Sequence, residues 1–480
     1  MKSVRLAQIF SSERGGKPDA EWCSVEDLPT KCGQKRYAKM AVLNLSVLPY
    51  VRGVDEARVT MKGAIGMERE AAQRLVVEAA RELRHGSRED GARGSAVLTL
   101  VNAILDMALA EEATDVHLEP MDGGLRIRIR VDGLLAERPV RFPPELAPVI
   151  VARLKVMAGI DTAKRNRPQD GQIRYRYGER LIDMRVAVLP VLGGERMVVR
   201  IMDASERFLS CAELGFTPHN QEIFERLIRR PTGLLLLCGP MNSGKTTTLY
   251  AALSALNEPS CHIMTLEDPV ERRLEGISQF QVNAEAGLTF VAGLRAALRQ
   301  DAQKILLGEI RDRETAEMAV RIALTGHALF STLHTEDTVS AVFRMIEMGV
   351  PPYLLAATLS GVIAQRLVRR VCPHCSEEYA ISRDSREAMQ LGDLYHEGMQ
   401  LTRGQGCAHC HGSGYRGRMA IHEVLPVTER LRAAILAAHD KETLRRAAEA
   451  DGMATLWQDG AAKACAGKTT LAEVGRALYG

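Results

Sequence analysis

Hydrophobic positions change period along this chain, and each change marks a unit. Across residues 97–112, Leu98, Val101, Ile104, Leu105 and Ala108 recur at i, i+3 and i+4 spacing, which predicts an amphipathic helix. Residues 125–131, LRIRIRV, instead alternate apolar side chains with arginine, the pattern of a half-buried strand, and similar short runs predict strands at 173–177, 181–188 and 197–202. A helix followed by strands makes residues 95–205 a mixed α/β domain. The pattern then switches to short unbroken apolar runs at 234–238, 263–266, 305–307 and 328–333, separated by helical stretches. Such runs suit strands covered on both faces, so residues 206–371 read as an open parallel α/β sheet. Further helices are expected at 428–438 and 441–450, within a helical region over 419–480.

Before residue 95 the pattern weakens. Residues 1–39 are polar without a sustained period and read as a loose tail; residues 40–86 hold an apolar stretch and one amphipathic helix at 67–83, as a partial docking domain would; residues 87–94 close a charged, Gly-rich linker. With 480 residues, 46% hydrophobic and 26% charged, the chain has material for several cores and is not disordered throughout. A net charge of +3 gives no reason to expect nucleic acid as the obligatory partner. No stretch approaches the roughly 18 to 20 apolar residues of a membrane span, and the Met1 end lacks the apolar core of a signal peptide, so a cytoplasmic protein is expected.

Chemistry concentrates between strand 234–238 and the helix that follows. Gly239, Pro240, Met241, Asn242, Ser243, Gly244, Lys245, Thr246 and Thr247 spell Gly-x-x-x-x-Gly-Lys-Thr-Thr, a loop whose glycines let backbone N–H groups turn inward around a phosphate. Lys245 would reach the β- and γ-phosphates of ATP, and Thr246 would offer its hydroxyl to Mg²⁺. A second Gly-Lys-Thr at Gly467 has Ala462 five residues before it and forms no cradle. Three apolar runs end in polar residues: Glu267 and Asp268, Gly308 and Glu309, and His334. Ligands on parallel sheets sit at those strand ends. Glu309 is the candidate for orienting and deprotonating water; Gly308 stands where many phosphate-loop enzymes keep a metal-binding Asp, leaving Glu309 or Glu267 to act on the metal through water. His334 would bond the γ-phosphate or a neighbouring carboxylate.

Of the ten cysteines, six are scattered singly and four form two C-x-x-C pairs, Cys372 with Cys375 and Cys407 with Cys410. Two such turns fill four tetrahedral positions with sulfur, a closed structural Zn²⁺ site within residues 372–418. A disulfide pairing is the competing reading.

Taken together, GPMNSGKTTTLY, TLEDPVE, ILLGEIRD and TGHALFSTLHT resemble the Walker A, Asp box, Walker B and His box of the secretion ATPases. The tetracysteine insert followed by GYRGRMAIHEVL, with ATDVHLEP, RLKVMAGIDTAKRNRPQDG and GMATL elsewhere, is similar to the assembly branch: the type II secretion ATPase E and the type IV pilus extension ATPase. The resemblance runs from about Ser95 to the C-terminus. It implies a RecA-like P-loop ATPase core behind a mixed α/β, PAS-like domain. It also implies a homohexamer, peripherally attached to the inner membrane through the L and F components of a type II system. An acidic membrane surface joins the candidate partners, and nucleic acid does not. Family arginines that act on the γ-phosphate match Arg185 and Arg200. The short segment before Ser95 is nearer the secretion ATPase than the pilus motor, and Met40 is a candidate true start. Departures from the family pattern are Asn242 at a loop position usually Gly, Ala302-Gln303 for Pro-Asp, and Glu336 for Asn; Asn tolerates positive φ, so the cradle should survive. Rivals to the secretion motor are the pilus motor, a nucleic-acid translocase and a nucleotide-binding scaffold without turnover.

Overall fold

The computed structural model describes residues 95–140, 142–202, 208–437 and 440–480, together with Arg74, Val76, Val77 and Ala80. The expectations for residues 1–39 and 87–94, and most of those for 40–86, lie outside the described residues. Val76 and Ala80 are helical and buried, and they belong to the core of the domain that follows rather than to a separate unit.

That domain begins with α1 (Ser95–Ala110) and continues through β1 (Asp115–Met121), β2 (Gly124–Val131), β3 (Leu134–Glu137), α2 (Leu146–Met157), β4 (Gln169–Tyr177), β5 (Arg180–Val191) and β6 (Gly194–Met202). The strands form one antiparallel sheet in the order β3-β2-β1-β6-β5-β4. Alternate residues of β5, Ile182, Met184, Val186 and Val188, join the core with Leu105 of α1 and Ile150 of α2. The intervening positions, Arg185 among them, face away from it.

β1 was not foreseen, because its outer positions are Asp115, His117 and Glu119. The first and last of these are buried beneath the arginine stripe. Arg128 and Arg126 meet Glu119 at 2.5 and 2.8 Å, Arg196 meets it at 3.0 Å, and Arg130 and Arg200 meet Asp115 at 3.4 and 3.1 Å. Burial raises the Glu119 pKa, but Arg128 and Arg126 outweigh it and hold the carboxyl below its usual range. The stripe is therefore half-exposed and tied down to two buried carboxylates rather than freely solvated.

The second sheet has seven strands in the order β15-β12-β7-β11-β10-β8-β9. They are β7 (Gly233–Cys238), β8 (Ile263–Glu267), β9 (Ser278–Gln281), β10 (Lys304–Leu307), β11 (Ala328–Leu333), β12 (Leu359–Val371) and β15 (Tyr415–Pro426). All pair in parallel except β15, which runs antiparallel to β12. The unbroken apolar run of β7 has a plain cause: Leu234 and Leu236 enter one core and Leu235 and Leu237 the other. Helices cover both faces, among them α3 (Pro218–Ile228), α4 (Lys245–Leu256), α5 (Phe290–Ala297), α6 (Arg313–Leu324), α7 (Thr338–Glu347) and α8 (Pro352–Thr358).

The tetracysteine insert carries a two-stranded sheet, β13 (Ser376–Ala380) with β14 (Gln400–Gly404), and a short helix α9 (Arg386–Leu391). Helices α10 (Glu429–Ala437) and α11 (Lys441–Ala450) lie where expected; α12 (Leu456–Cys465) and α13 (Leu471–Tyr479) complete the chain. Ile381, Leu391, Met399 and Leu401 of the insert share a core with Ala461, Ala464 and Leu471 of those last two helices. The expected boundary between residues 418 and 419 thus falls inside β15, and insert and C-terminal helices pack as one body. The second Gly-Lys-Thr is a brace for β12: Thr469 Oγ1 donates to Arg369 O at 2.8 Å, and Val371 N donates to Lys468 O at 3.0 Å. Among the described residues, no helix is long and apolar enough to cross a membrane.

Candidate functional site

The loop from Gly239 to Lys245 joins the buried end of β7 to α4. Gly239 and Gly244 hold φ of 149° and 84°, and Asn242 holds 62°, so the Asn at the family's Gly position adopts the conformation it tolerates. The space is close: a Cβ on Gly239 would stand 2.5 Å from Gln365 O, and one on Gly244 2.8 Å from Gln365 Nε2. Gln365 was not foreseen. It is buried on β12, donates to Ser243 O at 2.7 Å and accepts from Thr248 Oγ1 at 2.7 Å, clamping the loop from beneath.

Several features suit this loop to a triphosphate. α4 begins at a glycine cap with no side chain to take up its first N–H groups, which leaves them for an anion. Ser243 Oγ is buried without a partner among the described residues. Lys245 Nζ donates to Gly239 O at 2.7 Å and Pro240 O at 2.9 Å, and burial pulls its pKa down to about 8, a shift that a neighbouring phosphate would reverse. Pro240, Met241 and Thr247 are exposed at the loop's rim.

The strand ends beside the loop divide into an outer and an inner carboxylate. Glu309, after β10, is held by Gly308 N bonding Leu266 O at 2.8 Å and Ile310 N bonding Thr332 O at 3.0 Å. One of its oxygens meets His334 Nε2 at 3.2 Å, and the other accepts from Arg311. Burial raises the Glu309 pKa, but Arg311 and His334 outweigh it, so the carboxyl stays ionised below its usual range.

Glu267 is the inner carboxylate. It is buried and accepts from Tyr250 OH, Thr265 Oγ1 and Gln279 Nε2. Glu271, four residues on, is a second carboxylate near the loop, and the Thr246 hydroxyl helps to lower its pKa. Lost hydration and the nearby Glu267 push the Glu271 pKa up, while Arg185 and Arg200 push it down. Glu271 closes the TLEDPVE stretch, yet nothing in its spacing marked it above Glu267.

Arg185 and Arg200 are cross-strand partners on β5 and β6. Arg185 Nη2 donates to Val270 O at 3.3 Å, so a guanidinium of the first domain reaches the loop that carries Glu271, while Arg200 is held by Asp115. An open cavity of about 510 Å³ lies against the pair, lined also by Gly171, Gln172 and Ala187.

The four cysteines of the insert meet. Sγ–Sγ separations are 3.9 Å for Cys372 and Cys407, 3.8 Å for Cys375 and Cys410, and 3.7 Å for Cys407 and Cys410, with all four sulfurs within 4.8 Å of one another. Tetrahedral Zn–S bonds of about 2.3 Å demand sulfur separations of about 3.8 Å, whereas a disulfide needs about 2.05 Å. All four are free thiols, which removes the disulfide reading. Backbone N–H groups of Cys407 and Gly414 point at Cys410 Sγ, and that of Gly406 points at Cys375 Sγ, favouring thiolates. His374 and His409 stack on each other at 4.0 Å.

The family model described as "Type II/IV secretion system protein" matches residues 91–476. The "Type II secretion system protein E" of Klebsiella pneumoniae is 44% identical over 92% of this chain and 86% of its own length. The "Type IV pilus assembly ATPase PilB" of Thermus thermophilus is 42% identical over 79% of this chain and 43% of its own length. Among solved structures, the Legionella pneumophila ATPase DotB superposes with a TM-score of 0.59 at 20% identity, covering 79% of this chain and 95% of that one, a likeness of fold.

Proposed function

The chain belongs to the type II/IV secretion system protein family, and from that premise we propose that it is the motor ATPase of a type II protein secretion system, hydrolysing ATP to drive pseudopilus assembly and protein export. The observation that carries this reading is the meeting of three separate elements at the phosphate loop. The Thr246 hydroxyl lies near Glu271, Arg185 reaches the segment that carries Glu271 from the first domain, and Glu309 with His334 closes the neighbouring strand ends.

In this reading the N–H groups of residues 239–247 cradle the phosphates and Lys245 neutralises them. Mg²⁺, held by Thr246 and by waters near Glu271, would supply charge neutralisation for the β- and γ-oxygens. Glu309, kept ionised and aimed by His334, takes the proton of the attacking water. Arg185 and Arg200 meet the charge that develops on the γ-phosphate. Because they sit in a different domain from the loop, their approach ties the chemistry to domain motion within a homohexamer. The inner-membrane L and F components and acidic lipid are the partners at the cytoplasmic face. The secretion relative aligns over 86% of its own length and the pilus relative over 43%, which supports secretion over pilus extension.

Zn²⁺ on Cys372, Cys375, Cys407 and Cys410 has a structural role, since four sulfurs leave no open position. Protein purified without chelators should carry one zinc per chain. Cys410→Ser should release it and lower the melting temperature by about 5–10 °C, equivalent to a few kcal/mol. Metal-free protein of unchanged stability would refute the site.

The function is tested in the source organism. Deleting the gene should stop release of folded proteins into the medium and spare surface pili, with rescue by the wild-type chain and not by Glu309→Gln. Intact secretion with lost pili would reverse the assignment.

A further inference from the structure

We propose that Arg366 is a positioning residue that couples the phosphate loop to the orientation of His334 against Glu309. Arg366 follows Gln365 on β12 and is only 8% exposed. Among the described residues its hydrogen bonds go to main-chain carbonyls, not carboxylates: Nη1 to Gln365 O at 3.2 Å and Nη2 to Glu336 O at 2.9 Å. Glu336, Asp337 and Glu423 act on it only through space, and a guanidinium held out of water without a carboxylate in hydrogen-bond contact is costly, so an apolar side chain would fill the same place more cheaply. What an apolar side chain could not do is bridge those two carbonyls.

The bridge has one foot under the phosphate loop. Arg366 Nη1 lies 3.3 Å from where a Cβ on Gly239 would stand, so the first residue of the loop rests against it. The other foot is on Glu336, two residues after His334. Beyond Glu336 the turn into α7 is fixed from other sides: Cys238 Sγ bonds Asp337 O at 3.4 Å, Arg445 meets Asp337 at 2.8 Å, and Glu423 accepts from Thr338 N at 3.0 Å. With residues 337 and 338 anchored and His334 reaching out to Glu309 at 3.2 Å, the carbonyl of Glu336 is where movement of the phosphate loop enters the turn. A displacement at Gly239 shifts the guanidinium, the guanidinium shifts Glu336, and the imidazole turns relative to the carboxylate. Rows of donors anchored to both a ligand loop and a base-orienting turn are a general means of linking binding to chemistry.

This inference rests on reading Glu309 and His334 as hydrolysis machinery. The test is a double-mutant cycle in steady-state ATP turnover, with Arg366→Met made in the wild-type and in the His334→Ala backgrounds. In the wild type, misorientation should lower kcat about 10- to 100-fold while KM for ATP stays within about 3-fold. On His334→Ala the same change should cost less than about 2-fold, because the group it orients is gone. Equal losses in both backgrounds, or a raised KM with unchanged kcat, would overturn the coupling. Arg366→Lys keeps the charge but lacks a fork that spans both carbonyls, so its kcat should fall between the two; it replaces Met in the cycle if that variant does not fold. Glu309→Gln, run beside them, separates the two claims: full turnover there defeats the parent reading, while a Glu309→Gln that has lost turnover, together with an additive cycle, defeats only the role of Arg366.

Discussion

Glu309→Gln should bind ATP about as tightly as the wild type and hydrolyse it about 10² to 10⁴ times more slowly, the usual loss when a positioned general base is removed. The substitution is nearly isosteric and leaves the backbone anchors of residues 308 and 310 in place, so the loop that binds phosphate is untouched. What disappears is the negative charge that Arg311 and His334 hold ionised. Calorimetric titration with ATP and a phosphate-release assay give the two halves of the prediction. Near-normal phosphate release would remove Glu309 from the chemistry. Lost ATP binding would mean that the side chain supports the loop instead.

Arg185→Ala should be the second large effect. A cation that meets the transition-state charge of phosphoryl transfer is worth about 10³ to 10⁵ in rate, and a finger from another domain contributes only when domains and subunits are assembled. The turnover of assembled protein should therefore fall by about 10³-fold or more, while dispersed chains bind ATP as before. Arg200→Ala should act in the same direction. It also releases Asp115, which Arg130 still covers at 3.4 Å, so the sheet should stay folded. Arg185→Lys should recover little, since a compact ammonium lacks the planar fork that spans phosphate oxygens. Turnover of the assembled protein, measured alongside ATP affinity of the dispersed chain, checks both variants. Loss of affinity in dispersed chains would contradict the finger role.

The parts of this site legible in the sequence are those that local pattern dictates. β7, β8, β10 and β11 are apolar because both of their faces are buried, and continuous runs record that directly. The phosphate loop and the C-x-x-C turns are short-range constructions whose spacing is their geometry, and the sulfurs do converge. Other features depend on partners far along the chain. β1 alternates, but its polar positions are Asp115, His117 and Glu119, residues unusual in a central strand, and the two carboxylates are satisfied by arginines of β2 and β6 further along the chain. Gln365 earns its place only through Ser243 and Thr248, more than a hundred residues away. The carboxylates Glu267 and Glu271 show the same limit: one ends β8 and the other follows it, and only the distant Tyr250 and Gln279 mark Glu267 as the one bonded within the core.

The most direct test of the whole account is a structure of assembled Glu309→Gln protein with ATP and Mg²⁺. The expected structure holds an uncleaved triphosphate within residues 239–247, Thr246 on the metal, and the Arg185 guanidinium moved from Val270 O to about 3 Å from a γ-phosphate oxygen. A triphosphate bound in that loop with both Arg185 and Arg200 of every subunit remote from the γ-phosphate would contradict it.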